Sequence, residues 1–293
     1  MNDPAAEEPT EAEAPVCPRH PDRVAYVRCQ RCGRPACPEC QRPAAVGVQC
    51  VDCVRDAKRT APRVRTVFGG SADSAAVNGR PVVTFTIIGI CVVSWLLQLV
   101  TAGAWTQMLW FWPAGGAAEP WRFLTASFLH STSPLHILFN MYALWITGQF
   151  LEPLLGRVRF GVLCLLSAVG GSVGVLLLAG DPFTSNAWGT PVVGASGMVF
   201  GLFGAMLPVM RRLGRSMGQV IVLLVINGAI GFVVPGISWQ AHLGGLVTGA
   251  LVAAAYAYAP KDRRAVVAWA VPLAGIALLA CLAVVRYSSV GLL

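Results

Sequence analysis

The chain has 293 residues, of which 55% are hydrophobic and only 12% charged, with a formal charge of +8. That balance excludes an ordinary soluble globular domain and predicts a membrane protein. It also argues against nucleic-acid binding, because most basic residues flank apolar runs, where lipid attraction and topology account for them.

Residues 1–15 carry Glu7, Glu8, Glu11 and Glu13 among Pro and Ala. They lack the basic, apolar and small-residue regions of a secretory signal and are expected to be a disordered acidic tail. Residues 16–56 hold four ligand pairs, each with a two-residue gap: Cys17/His20, Cys29/Cys32, Cys37/Cys40 and Cys50/Cys53. Such a gap turns both side chains of a knuckle toward one metal, so the eight ligands predict two structural zinc ions. A segment this short buries little core, and metal binding would supply much of its folding free energy. A disulfide cluster is the alternative; it conflicts with the reducing cytosol in which the charge pattern below places this head. The spacing, with His20 in the first pair, resembles the B-box class of cross-braced zinc modules. That resemblance implies a module that binds a cytoplasmic protein partner, with Cys17, His20, Cys37 and Cys40 on one ion and Cys29, Cys32, Cys50 and Cys53 on the other. Sequential pairing stays open. Residues 57–80 are basic, contain Pro, Gly, Ser and Asn, and are expected to form a linker along the membrane surface.

Seven runs have the length and apolarity of transmembrane helices: Val82–Ala102, Leu135–Leu151, Phe160–Gly180, Gly194–Met210, Val220–Pro235, Trp239–Ala259 and Ala265–Val285. Cys91, Cys164 and Cys281 lie inside them and are expected to be small packing residues. Basic residues cluster before the first run and after the second, fourth and sixth, including Lys58, Arg59, Arg157, Arg159, Arg211, Arg212, Lys261 and Arg263. The positive-inside rule then puts the N-terminus in the cytoplasm and the C-terminus outside, in an integral protein of the plasma membrane. Residues 103–134 join the first two runs on the outer side and contain Trp105, Trp110, Phe111, Trp112, Trp121 and Phe123. A solvated loop with interfacial tryptophans and an element embedded in the leaflet both suit that composition.

Polar residues inside apolar spans need a partner or a task. His136 and Asn140 stand four apart on one face of the second span. Ser196 opens the fourth within Gly194-Ala195-Ser196-Gly197, and His242 lies near the start of the sixth. These three spans run in the same direction, so all four residues share one depth near the outer boundary and can converge. Close approach of the fourth and sixth spans needs small residues, which Gly197, Gly201, Gly204, Gly245 and Gly249 provide. Peptide hydrolysis needs a hydroxyl, a base for its proton, and donors for the oxyanion. Ser196 and His242 answer the first two needs; His136, Asn140 and the Ser196 backbone N–H answer the third. No carboxylate lies at that depth, which favours a dyad.

In these motifs the sequence resembles the rhomboid proteases, from about Val82 to Ala259. Trp121-Arg122 is similar to the family's loop signature, His136 to Asn140 to HxxxN, Gly194 to Gly197 to GxSG, and Ala241 to Gly249 to AHxxGxxxG. The resemblance implies an all-α polytopic membrane protein with a six-helix core, residues 81–259, plus a seventh helix in 260–293. It implies a serine endopeptidase that cleaves transmembrane protein substrates near the outer face of the bilayer, with small residues flanking the scissile bond and no catalytic cofactor. Catalytic roles fall to Ser196 and His242, and oxyanion roles to His136, Asn140 and Ser196. Trp121, Arg122, Gly194, Gly197 and Phe200 take substrate-access or structural roles, Phe200 packing on the catalytic histidine; His130 is structural. The competing expectations are a catalytically silent relative that binds membrane clients, which would typically lack Ser or His, and a transporter, which the confinement of polar residues to one leaflet disfavours.

Overall fold

The computed structural model describes residues 14–60, 66, 68, 81–234 and 236–293. The acidic tail and most of the linker expected from sequence lie outside the described residues. The chain divides into two compact units, Met1–Arg63 and Val64–Leu293.

The first unit is a small module of two hairpins and a helix. β1 (Val16–Cys17) pairs antiparallel with β2 (His20–Val24), and β3 (Gln41–Pro43) with β4 (Val48–Cys50). Helix α1 (Val51–Thr60) follows β4 directly and runs four residues into the stretch read as linker. Its buried residues are six of the module's seven cysteines together with Ala25 and Ala36. So small a core fits a fold held by metal and not by apolar burial.

The second unit is helical. Its long helices are α2 (Val82–Val100), α5 (Pro134–Leu155), α6 (Arg157–Leu177), α7 (Ser196–Arg212), α8 (Gly218–Val233), α9 (Trp239–Ala257) and α10 (Arg264–Ser289), with the short α3 (Ala104–Leu109) and α4 (Arg122–Thr125) between α2 and α5. Each long helix coincides with one of the seven apolar runs. By length and apolarity together, Val82–Val100, Arg157–Leu177 and Lys261–Ser289 are long enough to cross a membrane, and Gly218–Gly231 is a shorter apolar helix. The glycines and polar residues of the site lie on α5, α7 and α9, which dilutes their hydropathy.

Local chemistry sets the ends. Pro134 opens α5 at a position where its missing N–H is harmless, and Gly156, at φ +84°, closes it in a conformation that suits glycine. The first N–H groups of α2 lack intrahelical partners and are met by the buried Glu152 of α5, which accepts from Val83 N, Thr84 N and Thr84 Oγ1 at 2.8–2.9 Å. Gly148 makes room for that seam, since a Cβ there would lie 2.2 Å from Thr84 Oγ1.

The centre of the bundle is a backbone contact. A Cβ on Gly245 of α9 would lie 1.9 Å from Gly197 O, one on Gly249 would lie 2.0 Å from Gly201 O, and one on Gly204 would lie 2.3 Å from Leu246 O. On the other side, α6 meets α9 the same way, with Cβ positions on Gly174 and Gly244 falling 2.6 Å from Gln240 O and 2.3 Å from Gly170 O. Cys91 and Cys164 are fully buried packing residues as expected; Cys281 is not, because it faces outward from α10, where neighbouring residues are also exposed.

Replacing Gly245 with Ala should push α7 and α9 apart and cost about 2 kcal/mol or more of stability. The same change at Gly228, which has nothing within 4 Å, should be neutral. Thermal unfolding of the two variants in lipid or detergent checks this; equal unfolding temperatures would contradict the packing seen here.

Candidate active site and metal centres

The glycine seam brings the start of α7, which carries Ser196, against the first turn of α9, which carries His242: a Cβ on Gly197 would lie 3.4 Å from Ala241 O. Ser196 is the first residue of α7, so its backbone N–H is among those that a helix leaves unpaired and carries the positive end of the dipole. Gly194 adopts φ +137°, donates its N–H to Ala126 O at 3.0 Å, and turns the chain into α7. A methyl group on Gly194 would lie 3.3 Å from His136 Cε1 and Nε2 and 3.6 Å from Ser196 Oγ, so only glycine leaves this space open. His136 and the Ser196 hydroxyl therefore border one small volume.

The His136 ring is oriented by Ser131, whose backbone N–H donates to Nδ1 at 3.1 Å and whose Oγ lies 3.0 Å from the same atom. A ring nitrogen that accepts from a backbone amide carries no proton in the neutral imidazole, so Nε2 bears it and faces the space beside Ser196. Asn140 is buried, and its Nδ2 gives one hydrogen to His136 O at 2.8 Å, leaving its second for another acceptor.

His242 is buried, with its ring stacked on Phe200 at 3.9 Å between centroids and 10° between planes. Its Nδ1 has no hydrogen-bond partner and lies 3.3 Å from where a Cβ on Gly231 of α8 would stand. The imidazole is thus held by an aromatic face, with no carboxylate behind it. No hydrogen bond joins Ser196 Oγ to His242 among the described residues. Such bonds are often long before substrate binds and tighten in the complex.

Residues 101–133 form a folded element instead of a solvated loop. Arg122 is buried, pairs with Glu119 at 2.6 Å, donates to Gln107 O and Trp110 O at 2.8 and 3.0 Å, and lies over Trp112 at 4.6 Å. Its neighbour Trp121 is half exposed. The ring of His130 is buried edge-on to His136 at 5.4 Å between centroids. Gln98 of α2 holds the His130 backbone from both sides, at 2.9 Å to N and 2.8 Å to O, and Trp95 Nε1 donates to Ser131 O at 3.0 Å. Ser131, Gln98, Trp95 and Gly231 were not singled out in the sequence. Gln98 is a polar residue inside an apolar span, which is the signal that would have found it.

In the head, Cys17, His20, Cys37 and Cys40 form one cluster and Cys29, Cys32, Cys50 and Cys53 another, with the donor atoms of each cluster within 4.8 Å of one another. First pair joins third and second joins fourth, the interleaved arrangement and not the sequential one. A tetrahedral zinc with Zn–S bonds of about 2.3 Å spaces its sulfurs by about 3.8 Å. Cys32 Sγ and Cys50 Sγ are 3.8 Å apart, and His20 Nδ1 lies 3.2–4.0 Å from three sulfurs. All ten cysteines are free, which removes the disulfide alternative. Backbone N–H groups of Cys37 and Arg19 hold the Cys17 thiol down at about 6. A proton shared with Cys32, together with burial, pushes Cys53 up to about 12. Thiolates this close cannot all ionise unaided, and a divalent cation relieves that repulsion.

The bundle of long apolar helices defines a polytopic, mostly helical membrane unit. Residues 117–259 match the family model described as Rhomboid domain, and this part of the chain is a rhomboid domain. Among similar proteins, Rhomboid protease GluP of Bacillus subtilis is 33% identical over 61% of this chain and 35% of the relative. RHOMBOID-like protein 4 of Arabidopsis thaliana is 35% identical over 46% of this chain and 33% of the relative. Rhomboid protease GlpG of Yersinia pestis is 32% identical over 58% of this chain and 61% of the relative. The chain thus spans between about a third and three fifths of the length of these relatives.

Metal analysis of purified protein should find two zinc ions per chain, one for each cluster. Because zinc displaces thiol protons, its affinity should fall as pH drops, and Cys29→Ser should lose one ion while the other stays. A chain that holds no zinc at neutral pH would contradict the assignment.

Proposed function

We propose that this chain is an intramembrane serine endopeptidase that cleaves transmembrane protein substrates near the outer face of the bilayer through a Ser196/His242 dyad. The observation that carries this reading is the shared space bordered by Ser196 Oγ, His136 Nε2 and Gly194, together with His242 stacked on Phe200, one turn along α7 from Ser196. Similarity to proteins named rhomboid proteases supports it.

In this reading Ser196 Oγ attacks the scissile carbonyl as His242 takes its proton. Negative charge gathers on the carbonyl oxygen, where the Ser196 backbone N–H, the second hydrogen of Asn140 Nδ2 and His136 Nε2–H donate to it. Collapse of the tetrahedral species passes the proton from His242 to the leaving amine. Water, activated by the same histidine, then releases the acyl group from Ser196. Nδ1 of His242 has no acidic partner, so the Phe200 face must keep the base in place. Zinc takes no part in these steps.

A cavity of about 20 Å³, lined by Ala126, Ser127, Gly171, Ser172, Gly194 and Gly197, the last two on either side of Ser196 in sequence, supports a preference for a small side chain next to the scissile bond. The basic clusters support a cytoplasmic N-terminus, an external C-terminus and residence in the plasma membrane. For the zinc module we assign a cytoplasmic protein partner. Val16, Val24, Tyr26 and Val27 give it an exposed apolar surface, with Tyr26 77% exposed.

Cleavage of a single-span model substrate in liposomes tests the dyad. Ser196→Ala and His242→Ala should each lower kcat by about 10⁴-fold or more, with both proteins folded. Asn140→Ala should lower kcat by about 10²-fold with a smaller change in KM, as expected for a donor that acts on the oxyanion. Cleavage that survives in Ser196→Ala would overturn the assignment. A folded wild-type protein that neither cuts nor takes a fluorophosphonate on Ser196 would point instead to a client-binding protein.

A further inference from the structure

Helix α10 lies beyond residues 117–259, and most of its surface is apolar and exposed. Its last turn is different. Tyr287 is 2% exposed, and its hydroxyl donates to Pro113 O at 2.8 Å. The ring stands edge-on to Phe123 at 6.5 Å and to Trp188 at 6.4 Å between centroids. Gly116 shapes the seat, since a Cβ there would lie 2.4 Å from the tyrosine oxygen. The adjacent Arg286 donates to Gly180 O and lies over Trp188 at 5.4 Å. Two polar side chains at the end of an otherwise apolar helix thus grip two segments, residues 101–133 and 178–195.

Those two segments hold the site. Phe111 and Val192 exchange backbone hydrogen bonds of 3.2 and 2.7 Å, and Ala114 N donates to Trp188 O at 3.0 Å. Pro113 is therefore flanked by both links. Trp112, between Phe111 and Pro113, lies against the buried Arg122. Val192 comes two residues before Gly194 and four before Ser196, so any slip in its pairing moves the N–H groups that open α7.

We propose that Tyr287 is a positioning residue. Through it, α10 clasps the two segments so that the Phe111–Val192 bridge fixes the entry to α7 against His136 and Asn140. The clasp rests on the reading of Ser196 as nucleophile, and it adds a determinant outside the rhomboid domain. If α10 merely added buried surface, losing Tyr287 would lower stability without touching turnover.

The test uses the full chain in liposomes, with Tyr287→Ala, Tyr287→Phe and a control. The control is Gly275→Leu, which disturbs α10 elsewhere: a Cβ there would lie 2.7 Å from Leu166 Cδ1 of α6. In Tyr287→Ala, kcat and the rate of fluorophosphonate labelling should fall about tenfold or more together, with KM changed by less than about twofold. Hydrogen exchange at the Phe111 and Val192 amides should quicken by about tenfold, while amides inside α7 keep their protection. Tyr287→Phe keeps the ring and should restore each quantity to within about threefold of wild type. Gly275→Leu should lower the unfolding temperature and leave kcat and the two amides unchanged. Unaltered exchange in Tyr287→Ala, or a loss of kcat that Gly275→Leu reproduces at equal unfolding temperature, would overturn the proposal. A wild-type protein that fails to label at Ser196 would sink the protease reading instead, and the exchange measurement would still decide the clasp.

Discussion

The contact on which everything else depends is backbone against backbone, where Gly197, Gly201 and Gly204 of α7 meet Gly245, Leu246 and Gly249 of α9. Between helices in lipid there is little hydrophobic drive, because the tails are as apolar as the side chains they would displace. Association must come from dispersion over closely fitted surfaces and from weak Cα–H···O contacts, both of which need the absence of a Cβ. The seam also sets the start of α7, which carries Ser196, against the first turn of α9, which carries His242. These two residues sit one residue before Gly197 and one after Ala241, whose carbonyl oxygen lies 3.4 Å from a Cβ built on Gly197.

Around that seam, different physical devices hold Ser196 and His242. Ser196 is placed by backbone: the helix start, the turn at Gly194 and the pairing of Val192 with Phe111. His242 is placed by surfaces, with Phe200 on its face and Gly231 near Nδ1. In the proposed mechanism, an imidazole held without a carboxylate lacks the charge that would stabilise its protonated form, so more of the transition-state stabilisation would come from the oxyanion donors. Their orientation is correspondingly detailed. Ser131 fixes the proton of His136 on Nε2, and Trp95 and Gln98 in turn fix the chain at Ser131 and His130.

The sequence made much of this legible. Apolar runs of spanning length located all seven long helices to within a few residues at most ends, since period and length survive without tertiary information. His136, Asn140 and His242 stood out because ionisable and amide groups are rare in such runs, and Ser196 because it shares their depth between glycines. The supporting contacts did not stand out, because they join side chains to backbone atoms far along the chain. Tyr287 to Pro113, Gln98 to His130 and Ser131 to His136 follow no periodicity. Gly170 and Gly174 carried a readable small-residue spacing that matched the α9 face, yet only the packing shows which neighbour they serve. Cys281 shows the converse limit: an apolar run does not reveal which of its faces is buried.

The two units are stabilised in opposite ways, and this separates their responses to conditions. The first unit buries mainly its own cysteines, so metal bound at its two clusters, and the protonation of their thiols, would set its folding free energy. The membrane unit owes little to either. Its buried charged side chains, Glu152 on the start of α2 and Arg122 beside the partly exposed Glu119, each meet several donors or acceptors, which weakens their response to salt. Chelation or acid would therefore melt the head while the helical bundle stays folded.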